Sequence, residues 1–295
     1  MGKIKNFFTL FTLNMFLYLI VLVLVSLFSS CYSSSSNKDK TANYSMSYEE
    51  FRSLVYKEPG KNGVYIVDGD IPITTEKELK EFYEKFFSNN AKGNTRSIVF
   101  YKNGKEMIWN KTFRHNLTYC ISNDFGSRKQ EVVQAMQDAS NAWENAVNNN
   151  INFIYIPEED GDCNDYNENV LFDVRPTSGA GYLARAFFPD DYRLYRNILI
   201  DDSSFQKSSP FTITGLLRHE LGHVLGLRHE HTRPEAGTCF EDNEWIPLTP
   251  YDSASVMHYP HCNGTADESY IITQSDIDGI RQLYRLNDLD NNEFV

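Results

Sequence analysis

The stretch His219-Glu220-Leu221-Gly222-His223-Val224-Leu225-Gly226-Leu227-Arg228-His229-Glu230 calls for a helix that must stop. His219 and His223 stand four residues apart, so on a helix their rings leave one face a turn apart. Six more helical residues would advance about 600° and carry His229 roughly 120° off that face. The helix therefore has to end, and Gly226 is the residue that takes a left-handed conformation cheaply and turns the chain back. Three neutral imidazoles with a fourth position left open are the donor set of a catalytic zinc. Glu220, beside the first ligand, is placed to take a proton from water attacking a carbonyl. Five such positions meet by chance in a chain of this length on the order of once in 10⁵. That sets aside the alternative of plain helix-surface histidines.

A second segment, Pro250-Tyr251-Asp252-Ser253-Ala254-Ser255-Val256-Met257-His258-Tyr259, follows the third histidine. The histidine pattern followed by a methionine-containing turn resembles the metzincins. Glu230 straight after the third histidine, then Arg233-Pro234, then Ser255-Val256-Met257-His258-Tyr259, resemble the astacin-like branch. The likeness covers roughly residues 216–284, the last part, 272–284, looking like the final helix of such domains. It departs at Glu235-Ala236-Gly237, where astacins usually carry an aspartate-rich continuation. The matrixin-like branch is a neighbour on overall pattern, with Glu230 arguing against it. The resemblance implies an α/β domain with a twisted, mixed five-stranded sheet, an active-site helix and a C-terminal helix. It implies that Met257 floors the zinc ligands and that Tyr259 stabilises the oxyanion of peptide hydrolysis. His231, His258 and His261 fall outside the ligand spacing and read as surrounding or surface groups.

A chain of 295 residues, 41% hydrophobic, holds one sizeable catalytic domain and a smaller partner. The formal net charge of −12 is wrong for a nucleic-acid binder, and 14% aromatic residues indicates packed cores rather than acidic disorder. Residues 1–31 read as a targeting segment: Lys3 and Lys5, an apolar run from Phe7 to Phe28, then Ser29-Ser30-Cys31. The pattern resembles a bacterial lipoprotein signal with Cys31 lipidated after cleavage, although the run is also long enough for an uncleaved membrane anchor. Either way the rest is exported, with residues 32–45 as a flexible tether. Cys120, Cys163, Cys239 and Cys262 then read as two disulfides with three possible connectivities. The preferred set is Cys120–Cys163 and Cys239–Cys262.

Residues 46–108 form a small α+β unit: a helix over 47–56, a strand over 64–67, a helix over 76–87 and a strand over 97–101. The catalytic domain is expected over 109–288, with 289–295 a tail. Its strands are expected at 117–121, 151–156, 170–174, 181–187 and 197–201. A long amphipathic helix covers 129–148 and the metal helix begins near Pro210. By the resemblance, 181–187 is an antiparallel edge strand to which an extended substrate adds. The acidic run 158–162 reads as a solvated loop.

These features imply a zinc-dependent endopeptidase acting on extracellular proteins or peptides. It would be a monomer, secreted or held at the cell surface as an outer-membrane lipoprotein, touching membrane only through its N-terminal lipid or anchor. The competing class is a metal-containing surface binding or adhesion module. Glu220 argues against it, because a structural site needs no base. Val67-Asp68-Gly69-Asp70 resembles the aromatic-x-Gly-Asp run of astacin propeptides, with valine in place of the aromatic residue. On that reading the chain is a zymogen, and Asp70 fills the fourth zinc position. No cysteine lies between Cys31 and Cys120, which excludes a cysteine switch. The other reading of Asp68-Gly69 is a hairpin turn.

Overall fold

A computed structural model describes residues 47–60, 62–86, 99–102, 105–239 and 245–285. The targeting segment, Cys31, the tether and the tail lie outside the described residues. Among the described residues no helix is long and apolar enough to cross a membrane.

The N-terminal unit begins at Ser47, whose side chain accepts from the backbone N–H of Glu50 while the Glu50 carboxylate reaches back. This capping box starts helix α1 (Tyr48–Leu54). The helix expected to reach Tyr56 stops at Leu54, because Tyr56 pairs with Ile66 instead. Strands β1 (Tyr56–Lys57), β2 (Tyr65–Val67) and β3 (Ile71–Ile73) make an antiparallel sheet in chain order. Helix α2 (Glu76–Phe86) folds back over it, and Phe51, Tyr65, Val67, Ile71 and Leu79 form a small core. Next come β4 (Val99–Lys102), β5 (Lys105–Glu106) and the short helix α3 (Lys111–Arg114).

The main sheet is built from β6 (Leu117–Ile121), β7 (Phe153–Tyr155), β8 (Phe172–Thr177), β9 (Ala184–Arg185) and β10 (Asn197–Asp201). Their order is β7-β6-β8-β10-β9, parallel throughout except for β9, which runs antiparallel to β10 at the edge. Between β6 and β7 lies helix α4 (Lys129–Ala146), which buries Val132, Met136, Ala139 and Trp143 against the sheet and the metal helix. The resulting mixed five-stranded sheet is the one the metzincin resemblance implied. Its edge strand is shorter than expected, because Gly179 and Gly181 take φ of 66° and 77° and bend the chain before Ala184.

The acidic run is solvated at Glu158 and Asp162, as expected, but not at Asp160. Residues 157–162 coil into a 3₁₀ turn that buries Asp160. Its carboxylate accepts from the Ile121 N–H at 2.9 Å and the Tyr155 hydroxyl at 2.5 Å, and pairs with Lys129 at 2.6 Å. Cys120 is bonded to Cys163, tying β6 to this turn, and Cys239 to Cys262.

Helix α5 (Ile213–Val224) starts three residues beyond Pro210, where the Thr212 side chain caps the Gly215 N–H. A short strand β11 (Trp245–Ile246) pairs with β4, and α6 (Gln274–Leu283) packs against α4, Arg281 donating to the Ala146 carbonyl.

Candidate metal centre

Helix α5 ends at Val224, and Gly226 has φ +93° with its N–H on the His223 carbonyl. A side chain there would meet the Met107 carbonyl oxygen at 2.4 Å, so glycine is required twice over. The reversed chain brings His229 back to the helix. Its Nε2 lies 3.1 Å from Nε2 of His219 and 3.2 Å from Nε2 of His223. Nδ1 of His219 donates to the Val256 carbonyl and Nδ1 of His223 to the Leu227 carbonyl, each at 2.8 Å. Those bonds leave the Nε2 lone pairs turned toward one another. Burial holds the His223 imidazole well below its usual pKa, hence neutral. Lone pairs aimed together repel unless a cation sits between them. The separations match the roughly 3.3 Å edge of a tetrahedron with Zn–N bonds of about 2.05 Å. The donor set therefore fits zinc.

Glu220 is fully buried, and neither of its carboxylate oxygens has a hydrogen-bond partner among the described residues. Burial first, then the nearby charge of Asp70, pushes its pKa well above the usual carboxylate range. An unpaired buried carboxyl beside a metal-ligand cluster is what a proton acceptor needs.

The floor is pinned from below. Asp276 caps α6 and accepts from the Ser255 hydroxyl at 2.5 Å and the Val256 N–H at 2.9 Å. The turn so fixed sets Met257 under the helix, with Sδ 2.3 Å from where a side chain on Gly222 would begin. Glu230 donates its N–H to the Met257 carbonyl, and its carboxylate accepts from Arg233 at 2.6 Å and the Asp252 N–H at 2.9 Å. Glu230 thus holds the floor and does not face the histidines. Burial raises its carboxyl to about 8, with Arg233 pulling the other way.

Tyr259 packs on the ligands, tilted against His229 with ring centroids 4.5 Å apart and stacked on His219 at 5.4 Å. The buried His231 ring packs against both His229 and Tyr259, its centroid 4.7 Å from that of the first and 4.6 Å from that of the second. His258 is also buried, sharing a hydrogen bond with the Tyr251 hydroxyl, while His261 is exposed and stacks on the outer side of Tyr259.

Residues 68–70 form the turn between β2 and β3, with Asp68 at φ +52° and Gly69 at φ +96°. The hairpin-turn and metal-approach readings of this run turn out not to compete. The turn itself carries Asp70 to the histidines. One carboxylate oxygen is 3.1 Å from His229 Nε2, the other 3.4 Å from His219 Nε2. The Tyr259 hydroxyl donates to that second oxygen at 2.5 Å. All four donors fall within 4.8 Å of one another.

Several residues at the site carry no local signal in the sequence. Phe188 packs edge-on to His223, Tyr270 edge-on to His219, and Trp143 donates to the Arg218 carbonyl. Each is an ordinary apolar position until the fold gathers it.

The matrixin family model matches residues 108–236. Human neutrophil collagenase is 26% identical over 285 residues, covering 86% of this chain and 51% of that protein. Zinc metalloproteinase nas-38 of Caenorhabditis elegans is 32% identical over 90 residues, 24% of this chain and 12% of that one. The dorsal-ventral patterning protein tolloid of Drosophila melanogaster is 34% identical over 64 residues, 15% of this chain and 6% of that one. The chain thus spans about half the length of the collagenase and far less of the others. Fold, histidine set and these likenesses define a zinc-protease-type domain. Over this domain the chain is similar to the metzincin zinc proteases.

Proposed function

We propose that this chain is an exported zinc endopeptidase that hydrolyses protein or peptide substrates and is made latent, with its N-terminal unit as inhibitor. The observation that carries the reading is the convergence of three Nε2 atoms next to the unpaired Glu220, with Asp70 directed at the same point. His219, His223 and His229 would hold the zinc. When bound, zinc supplies Lewis acidity toward the scissile carbonyl and lowers the pKa of water. Glu220 takes the proton from the attacking water and passes it to the leaving amine. Tyr259, freed from Asp70, turns its hydroxyl to the developing oxyanion. An extended substrate pairs with the open edge of β9. In the latent chain Asp70 fills the open position and binds the Tyr259 hydroxyl, so one carboxylate disarms two groups.

The branch is the astacin-like one. Glu230, Arg233-Pro234 and the Ser255–Tyr259 run support that assignment, and the matrixin match ends at residue 236, before the methionine turn. Export follows from the apolar N-terminal run and from the two disulfides, which need an oxidising compartment. Cys31 would carry the lipid, and the chain acts as a monomer. To test the reading, the full chain is purified with zinc measured by mass spectrometry, then cut between residues 87 and 98. One zinc per chain and cleavage of a proteome-derived peptide mixture only after the cut are expected. A zinc-loaded, cut chain that cleaves nothing refutes it.

A further inference from the structure

The second disulfide and an exposed histidine make a cluster that peptide hydrolysis does not use. Sγ of Cys239, Sγ of Cys262 and a ring nitrogen of His261 all lie within 4.8 Å of one another. Two sulfurs and an imidazole are a donor set for a borderline cation, zinc above all. Cys239 is bonded to Cys262, so as they stand the sulfurs offer no thiolate. Opening that bond is all the set requires.

Access differs between the two disulfides. Cys120 and Cys163 are both buried, at 0% and 6% exposure, whereas Cys239 is half-buried. A thiolate must reach a sulfur to exchange with it, so Cys239–Cys262 is the bond opened first. Opening it does not scatter the donors. The Asn263 side chain donates to the Ala236 carbonyl at 2.9 Å, which fastens the two arms beside the cysteines. The Cys262 N–H donates to the Tyr259 carbonyl at 3.0 Å, within the 3₁₀ turn Pro260–Cys262. His261 stacks on the Tyr259 ring with centroids 5.3 Å apart, and the stack holds its imidazole beside the sulfurs. The Cα atoms of the two cysteines are 5.6 Å apart. Two thiolates on one zinc stand about 3.8 Å apart, given Zn–S bonds of about 2.3 Å, and side-chain rotation reaches that separation from the same Cα spacing.

We propose that Cys239, Cys262 and His261 form a second zinc site that oxidation closes, the metal taking over as cross-link when the disulfide is reduced. Two molecules of an external thiol supply the electrons. They end as one external disulfide, and Cys239 and Cys262 end as thiols. A zinc ion then binds both sulfurs and one ring nitrogen, and the two thiol protons pass to solvent. The fourth position is left to water. The segment from Cys239 to Cys262, which carries the methionine turn, thus stays closed in both redox states. The proposal does not rest on the endopeptidase reading, since it shares no ligand with the histidine centre.

The test uses the full chain, either oxidised or treated with excess mercaptoethanol that is then removed without air. Alkylation and peptide mapping should find Cys239 and Cys262 as thiols at a reductant level that leaves Cys120–Cys163 intact. Native mass spectrometry with added zinc should then count one zinc more on the reduced chain than on the oxidised one, whatever the histidine centre holds. Cobalt in place of zinc should give the reduced chain a thiolate-to-cobalt charge-transfer band that the oxidised chain lacks. Cys239→Ser should abolish the added ion and the band. His261→Ala changes an exposed side chain and keeps the disulfide. It should weaken the added zinc by about 100-fold or more, since even a group that only orients a ligand is worth about 10- to 100-fold. Equal zinc counts in the oxidised and reduced parent overturn the proposal. So does an added zinc that survives Cys239→Ser, or one that His261→Ala binds as tightly as the parent. Opening of Cys120–Cys163 before Cys239–Cys262 overturns it as well.

Discussion

Two tight turns close on the same three histidines, one from below and one from above, and they are held in different ways. The lower turn, at Met257, is fastened by Asp276 of α6, by the Val256 carbonyl on His219 and by the Glu230 N–H. Every partner belongs to the domain that owns the histidines. The upper turn, residues 68–70, arrives on the small core of the N-terminal unit, to which the catalytic domain adds Phe188, and meets the site through Asp70 and Tyr259. A floor built from its own domain persists. On the latency reading proposed above, a roof brought by a neighbouring unit would be lifted, giving up contacts that a substrate and its transition state would then use.

The largest effect is expected where both turns look, at Glu220. Glu220→Ala should retain one zinc, since no ligand is lost, while the cut chain loses about 10²-fold to 10⁴-fold in kcat/KM. Activity near the unsubstituted level with the metal bound would mean that the unpaired carboxyl is not the base. Chelation should abolish activity, and added zinc should restore it.

Next is the roof. Asp70→Ala in the uncut chain removes the carboxylate that faces His229 and His219 and binds Tyr259. Losing one member of a buried charged cluster shifts the docked population by on the order of 100-fold. Peptidase activity of the uncut chain should rise accordingly, with no new N-terminus seen by mass spectrometry. An uncut variant as silent as the parent would show that residues 46–108 inhibit by some other contact or not at all.

What the sequence made legible follows the same division. The ligand set, the helix stop at Gly226 and the methionine turn all lie within about forty residues, and spacing alone brings them together. Asp70 is 149 residues from His219, and only a four-residue likeness pointed to it. The Glu58–Arg185 ion pair spans 127 residues and gave no local sign, because an arginine on a strand looks the same whether it faces water or a buried carboxylate. Asp160 was misread for a related reason. A run of four acidic side chains looks solvated, yet one of them is turned inward by the 3₁₀ coil to satisfy the Ile121 N–H and Tyr155. The edge strand came out short because two glycines at positive φ override the alternating pattern.

The floor offers the third prediction. Gly222→Ala puts a methyl group where Met257 Sδ would be 2.3 Å away, with Trp143 on the other side at 3.5 Å. Met257 is buried under the ligands and must shift to make room. Overpacking of this kind costs about 1–3 kcal/mol, more than the helix propensity gained by replacing glycine. Denaturant unfolding should detect the loss, and latency of the uncut chain should be unchanged. A stability equal to that of the parent would mean that the floor is looser than its hydrogen bonds imply.

The same substitution in the upper turn should behave differently, and that contrast is the sharpest test of the comparison. Gly69 has φ +96°, where alanine is strained by about 1–2 kcal/mol. Its new Cβ would also stand 3.0 Å from the Tyr259 hydroxyl and 3.2 Å from the ring. In a floor such strain has no outlet and appears as lost stability. In a roof the clash with Tyr259 can be relieved by undocking, so it appears as a shifted equilibrium between closed and open chains, while the φ strain stays within the hairpin. Gly69→Ala should therefore raise the activity of the uncut chain by about five- to tenfold, which corresponds to about 1–1.4 kcal/mol. The Tm of the catalytic domain should move by less than about 2 °C, well under 1 kcal/mol for a domain of this size. A fall in Tm like that of Gly222→Ala, with no gain in activity, would show that the hairpin is part of one cooperative core. The two turns would then differ in origin but not in the job they do.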